Sequence, residues 1–158
     1  MSSDSDRQSR RLKILAMSSG GGHWVQLLRL RPAFEGHDVT YCTVSRSYQH
    51  DVPDHRLMVV NDADKSNKFG ILVLLVRTFI VLLRVRPDVI VSTGAAPGCL
   101  AVRLGKLFGA RSAWIDSIAN VDEVSFSCRL VKGHADLYLT QWQQLAGRDG
   151  LEYRGNVL

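Results

Sequence analysis

The sequence predicts an α/β domain whose mainly parallel sheet carries helices on both faces. Three observations lead there. Short apolar runs alternate with segments of helical period, the runs are apolar throughout rather than at every second position, and clusters of Gly, Pro, Asp, Asn and Ser separate them. Such a pattern is Rossmann-like. At 158 residues, 46% hydrophobic and 22% charged, the chain has material for one domain of this kind and too little for two. Cys42, Cys99 and Cys128 are odd in number and widely spaced, without a C-x-x-C pair, which speaks against a disulfide scaffold and against structural zinc.

Residues 1–11 are polar and lack the apolar stretch of a secretory signal, so they are expected to form a flexible leader before a single domain over 12–158, in a reducing cytoplasmic setting. The run from Leu12 to Met17 reads as the first strand. SSGGGH follows at once, and apolar Val25, Leu27, Leu28 and Leu30 then give a helix. Asp38 to Val44 and Arg56 to Val60 are expected as the next strands, rich in β-branched and apolar residues. Gly70 to Arg86 is a helix that Pro87 ends, and Asp88 to Ser92 forms the following strand. A loop, TGAAPG (Thr93 to Gly98), leads into a helix from about Cys99 to Phe108, closed by Gly109. Arg111 to Asp116 is a strand, Val124 to Lys132 a helix, and Asp136 to Thr140 and Tyr153 to Val157 the last two strands. In parallel sheets ligands bind at the carboxyl ends of strands, so the loops at Ser18 to His23, Thr93 to Gly98 and Asp116 to Asp122 are expected to meet in one cleft.

The glycine loop is the strongest local signal. Three glycines between a strand and a helix permit positive φ and close approach of a ligand to the backbone, and the helix start adds amides suited to an anion. The same loop could be a plain tight turn. A dinucleotide fingerprint fits poorly, because the third glycine would fall at Val25 and no acid ends the second strand near Ser45, and a Walker A lysine is missing. His23, at the helix start, suits either a general base or a diphosphate contact. Asp116 and Asp122, flanking another cleft loop, are alternative bases, or solvated caps.

Net charge is +5, and residues 65–111 alone hold eight basic residues against one acid. A localised anionic partner, such as lipid headgroups or a diphosphate, fits that distribution better than a generally adhesive surface, and nucleic acid is not implied. The same segment contains FGILVLLVRTFIVLLRVRP (Phe69 to Pro87), apolar around nearly its whole circumference. Seventeen residues make roughly 25 Å of helix, marginal for a bilayer, and Arg77 at its middle opposes a span. Two readings remain open. The helix is buried against the sheet, or it lies partly in a membrane interface with Phe69, Leu72, Leu75, Phe79, Arg77 and Arg84 in contact with lipid.

SSGGGHWVQLLRL (18–30), RPDVIVSTGAAPG (86–98), IDSIANVDEVSFSCRLV (115–131), ADLYLTQW (135–142) and YRGNVL (153–158) occur in an order that resembles the acceptor-side subunit of split UDP-sugar glycosyltransferases. That family includes the membrane-recruiting subunit of the asparagine-linked glycosylation GlcNAc transferase and bacterial counterparts in capsule and exopolysaccharide assembly. The resemblance covers nearly everything after Leu12. It implies the N-terminal half of a GT-B fold, similar to that half of the peptidoglycan lipid-linked GlcNAc transferase. It also implies a donor-side partner chain that binds the UDP-sugar, a polyprenyl-diphosphate-linked acceptor, and a peripheral place on the cytoplasmic face of the cell membrane. By motif, Ser19, Gly20, Gly21, Gly22 and His23 would contact the acceptor diphosphate, with Thr93 and Gly94 in the same cleft and His23 or Asp116 as the base.

The family's I-E-S-F-A-R stands here as Ile115 to Asn120, IDSIAN, with a shorter acid and no basic residue. Eukaryotic members commonly begin with a transmembrane helix, and none is read here. The glycine loop and QLLRL look more like the bacterial branch. No metal or other cofactor is expected, and the lack of a D-x-D motif agrees with GT-B chemistry. The function expected is transfer of GlcNAc or glucuronic acid from a UDP-sugar to a lipid-linked saccharide by a complex in which this chain binds acceptor and membrane. A noncatalytic scaffold for a self-sufficient partner is the alternative, and a soluble nucleotide-binding protein a third.

Overall fold

The computed structural model describes residues 10–157; the greater part of the polar leader, residues 1–9, lies outside the described residues. Seven strands form one sheet: β1 (Lys13–Ser18), β2 (Asp38–Thr43), β3 (Arg56–Val59), β4 (Val89–Gly94), β5 (Arg111–Ile115), β6 (Leu137–Thr140) and β7 (Glu152–Tyr153). Their order is β3-β2-β1-β4-β5-β6-β7, and every pairing is parallel. Helices α1 (Gly22–Arg29), α2 (Lys68–Val85), α3 (Ala95–Gly105) and α4 (Phe126–Val131) supply four of the crossovers, and 3-10 turns lie in the connections from β2 to β3 and from β6 to β7. Strand order reverses between β1 and β4, and the crevice outside the carboxyl ends at such a reversal is where doubly wound sheets take ligands.

The strands lack alternation because both sheet faces are covered. On β1, Leu15 and Met17 enter a core shared with α2, α3 and α4, while Ile14 and Ala16 enter a second core with Trp24 and Leu27 of α1. Each face needs its own apolar set, so consecutive residues are apolar. All three cysteines are free and buried, and burial pushes the Cys42 and Cys128 thiols up to about 12 and Cys99 to about 11.

Several expected boundaries move, each for a local reason. No loop spans Thr93 to Gly98: β4 runs to Gly94 and α3 begins at Ala95. Gly94 at φ 146° and Ala95 at φ 61° turn the chain in two residues, and Pro97 falls in the first helical turn, where its missing N–H leaves no gap. Helix α2 starts two residues earlier than expected, because the Asn67 side chain accepts from the Gly70 N–H at 2.8 Å. It stops at Val85, with Arg86 left-handed at φ 47° before Pro87. Helix α4 is shortened by Ser125, whose Oγ caps it at the Cys128 N–H. The final strand keeps only two residues. Beyond it Val157 is held by side chains instead of a ladder, its carbonyl accepting from Arg29 at 2.7 Å and its N–H donating to Gln141 at 3.0 Å.

Packing of α3 against the sheet depends on Gly98. A Cβ there would sit 1.7 Å from Ser92 Oγ and 3.2 Å from the Met17 carbonyl, so the helix would have to lift from both central strands. Gly98→Ala is expected to cost about 1–3 kcal/mol and to lower the melting temperature by several degrees. Adding Ser92→Gly, which removes the nearest obstruction, restores part of that loss in the same thermal melt.

Candidate functional site

At the strand reversal the β1 end and the β4 end are joined residue by residue. Ser18 pairs with Gly94 after a register shift at Met17, a local irregularity that re-aims the ends of both strands. Past Ser18 the chain turns through Ser19, Gly20 and Gly21 into α1. Gly21 has φ 63°, a left-handed value that glycine adopts without strain, and its N–H donates to Tyr48 Oη at 2.9 Å. The Tyr48 ring covers Gly20 so closely that a Cβ would stand 2.8 Å from the hydroxyl. Tyr48 comes from a short 3-10 turn over Arg46–Asp51, docked on α1 by the Trp24 indole donating to Asp51 at 2.8 Å. No side chain caps the N-terminus of α1 and no acid lies in its first turn, an arrangement that suits an anion.

His23 is clamped to the end of β4 by two hydrogen bonds. Thr93 Oγ1 donates to the His23 carbonyl at 2.6 Å, and His23 Nδ1 lies 3.0 Å from the Thr93 carbonyl. A carbonyl only accepts, so the proton of the neutral imidazole resides on Nδ1 and Nε2 carries the lone pair. Nε2 makes no hydrogen bond among the described residues. The ring rests on Gly94, where a Cβ would fall 2.3 Å from Nδ1. Glycine is required at 94 both for its φ of 146° and for the space the imidazole occupies.

The third expected loop, Asp116 to Asp122, is tied to α1 through residues the sequence reading did not single out. Gln26, buried on α1, accepts from the Ile118 N–H at 3.0 Å and donates to Ser117 Oγ at 3.2 Å. Gln141, buried at the end of β6, donates to Gln26 Oε1 and to the Asp116 carbonyl at 2.9 Å. Asp116 itself is 1% exposed, and its carboxylate accepts from Ser125 Oγ at 2.6 Å, the Ser125 N–H at 3.0 Å and Asn120 at 3.1 Å. It braces the loop before α4. Asp122 is exposed. The signal for Gln26 was available, since it lies on the apolar stripe of a short helix; Tyr48 and Gln141 had none, as only the tertiary fold brings them to the crevice.

Residues 53–157 match the family model for oligosaccharide biosynthesis proteins like Alg14. The chain belongs to the Alg14-like family. No curated protein matches its sequence. Among solved structures, MurG from Acinetobacter baumannii superposes with a TM-score of 0.72 at 11% identity, over 91% of this chain and 45% of that one. A UDP-N-acetylglucosamine 2-epimerase from Rickettsia bellii gives 0.64 at 13% identity, over 85% and 40%. A glycosyltransferase from Rickettsia africae ESF-5 gives 0.60 at 14%, over 90% and 41%. At these identities the likeness is one of fold, that of the N-terminal half of a GT-B glycosyltransferase, and the chain spans less than half the length of each.

In this Alg14-like chain one stripe of α2 is buried, as the first of the two readings expects, and another is exposed. Its inner stripe, Leu74, Thr78, Val81, Leu82 and Val85, is buried in the core. The outer stripe is exposed and apolar: Phe69 is 76% exposed and Leu72 57%, and Leu75, Val76, Phe79, Ile80 and Leu83 lie between 37% and 49%. Arg77 and Arg84 are exposed on the same helix. Among the described residues no helix is long and apolar enough to cross a membrane, and no group of three His, Cys, Asp or Glu side chains could hold a metal ion.

The clamp on His23 is directly observable. Long-range ¹H–¹⁵N spectra of the neutral ring are expected to show a protonated, pyrrole-type Nδ1 and a bare, pyridine-type Nε2; the opposite pattern would mean that the Thr93 carbonyl does not hold the ring.

Proposed function

We propose that this chain is the acceptor-binding, membrane-recruiting subunit of a two-chain glycosyltransferase. The complex moves a sugar, GlcNAc or glucuronic acid, from a UDP-sugar onto a polyprenyl-diphosphate-linked saccharide at the cytoplasmic face of the membrane, in the assembly of a lipid-linked glycan or exopolysaccharide. The observation that carries the reading is the juxtaposition at the strand reversal of an open glycine loop and an imidazole whose bare nitrogen is fixed by Thr93. Membership of the Alg14-like family and the GT-B half fold support it.

In this reading the loop Ser19, Gly20, Gly21 and Gly22 receives the acceptor diphosphate through its free amides, with Gly21 lending its close approach while its N–H stays on Tyr48, and Thr93 and Gly94 form the opposite wall. His23 Nε2 takes the proton of the acceptor hydroxyl as that oxygen bonds to the anomeric carbon of the donor sugar. The bond from that carbon to UDP breaks, and UDP leaves with the electron pair, held by the donor-side chain. The imidazolium that forms is stabilised at Nδ1 by the Thr93 carbonyl 3.0 Å away. Asp116, occupied by Ser125 and Asn120, positions the third loop rather than the proton. The outer stripe of α2 lies in the membrane interface, with Phe69, Leu72, Leu75 and Phe79 among the acyl chains and Arg77 and Arg84 at phosphate level.

Two measurements test this. With the donor-side subunit present, His23→Ala is expected to lower kcat by about 10²–10⁴-fold with a smaller change in acceptor KM; unchanged turnover would leave the chain as a noncatalytic scaffold. Replacing Leu72, Leu75 and Phe79 together by Ser is expected to abolish flotation with anionic liposomes at low salt while leaving the circular dichroism spectrum intact. A variant that still floats removes α2 from the membrane contact.

A further inference from the structure

An apolar cavity of about 300 Å³ opens between α2, α3 and α4. Its walls are Ile71 of α2, Ala96, Cys99 and Leu100 of α3, and Phe126 and Leu130 of α4. It opens on two different surroundings. One edge is Ala95, the residue after Gly94, so the cavity begins one residue from the backbone that supports the His23 ring. On the α2 side its wall is Ile71, the neighbour in sequence of Leu72 on the exposed stripe. A cation guards the mouth: Lys65 Nζ lies 5.4 Å from the centre of the Phe126 ring, bridging the loop before α2 to α4. Asp64, the acid in the lining, has one carboxylate oxygen engaged by the Ser66 N–H and hydroxyl and the Asn67 N–H.

We infer that this cavity receives the first isoprene units of the lipid-linked acceptor, those next to its diphosphate. The inference rests on the proposed acceptor role and adds to it a chain-reading subsite. A ligand that is anionic at one end and a branched hydrocarbon at the other matches what the surface offers in sequence: loop amides, a lysine, an apolar cavity, then an apolar helix face. The volume is at the lower end for small-molecule pockets, enough for a few isoprene units and not for a whole polyprenyl chain, whose remainder would continue along α2 into the bilayer. Lys65, free to swing from Phe126, neutralises the phosphate nearest the chain.

The test uses the full chain in vesicle-free buffer and three soluble probes: inorganic diphosphate, dimethylallyl diphosphate and farnesyl diphosphate, titrated calorimetrically. Farnesyl diphosphate is expected to bind at least about tenfold more tightly than dimethylallyl diphosphate. Leu100→Trp, which fills the cavity, is expected to erase that difference and leave inorganic diphosphate binding unchanged. Ala96→Leu serves as a second filling variant should Leu100→Trp fail to fold. Leu72→Ser, on the outer stripe, is expected to preserve the difference. Equal affinity for the two prenyl diphosphates, or a preference that survives both filling variants, overturns the inference and leaves the acceptor role standing. A preference lost only in Leu72→Ser overturns it in favour of chain binding on the outer stripe. Failure of all three probes to bind would instead strike the diphosphate site itself, and the inference with it.

Discussion

The reciprocal hydrogen bonds between His23 and Thr93 are the contact on which the candidate site depends. They join the first residues of α1 to the last residues of β4, the two elements flanking the strand reversal, through one backbone carbonyl from the helix and one from the strand. A side chain held by its own carbonyl and its own ring has little freedom left. What β1 and β4 contribute is therefore more than a crevice: they determine which imidazole nitrogen faces it. Gly94 is part of the same device, since any side chain there would occupy the place of the ring. Some of the backbone strain at the junction is the consequence, with Ala95 in a left-handed conformation that costs a non-glycine residue about 1 kcal/mol or more.

Around that clamp the fold spends buried polar groups in a way a purely structural sheet does not require. Gln26 and Gln141 are nearly inaccessible, yet their amides are satisfied by backbone groups of the β5–α4 loop and by each other. A buried amide without partners would be costly, whereas a fully bonded one fixes register between elements that apolar contacts alone leave free to slide. Here it locks α1 to the loops after β5 and β6. Asp116 does the same one shell outward, with Ser125 and Asn120. The shorter side chain of Asp116, where the family commonly has Glu, suits this inward bracing role, because its oxygens reach the Ser125 backbone without leaving the loop.

Much of this was legible in the sequence because it follows from period and punctuation. Non-alternating apolar strands can be satisfied only between two helical layers, so the parallel sheet and the gathering of the three loops follow from Leu12 to Met17, Asp88 to Ser92 and the turns after them. What the sequence could not show were quantities decided by tertiary neighbours. TGAAPG reads as a loop by composition, and becomes the first turn of α3 because Gly94 and Ala95 reverse the chain within two residues. The last strand ends early because Gln141 and Arg29, more than ten residues away in sequence, capture Val157. Tyr48 reached the glycine loop through a 3-10 turn that no periodicity announces.

Helix α2 presents the remaining physical question. A helix covering a sheet needs one apolar stripe, and α2 has it in Leu74, Val81, Leu82 and Val85. Its outer residues are not needed for that packing, yet they are Leu, Val, Phe and Ile, exposed in a continuous row beside Arg77 and Arg84. Exposed apolar rows of this extent on a folded chain mark a surface that meets another apolar phase. The segment from 65 to 111 that bears this row also holds eight bases and one acid, and this pairing of apolar surface with positive charge is what supports the proposed lipid contact. The cavity under Lys65 and Phe126 is lined by Ile71 of α2 and by Ala95, the residue after Gly94. Under the proposed function, a lipid-anchored substrate would keep its hydrocarbon on these apolar walls while its polar end enters the crevice.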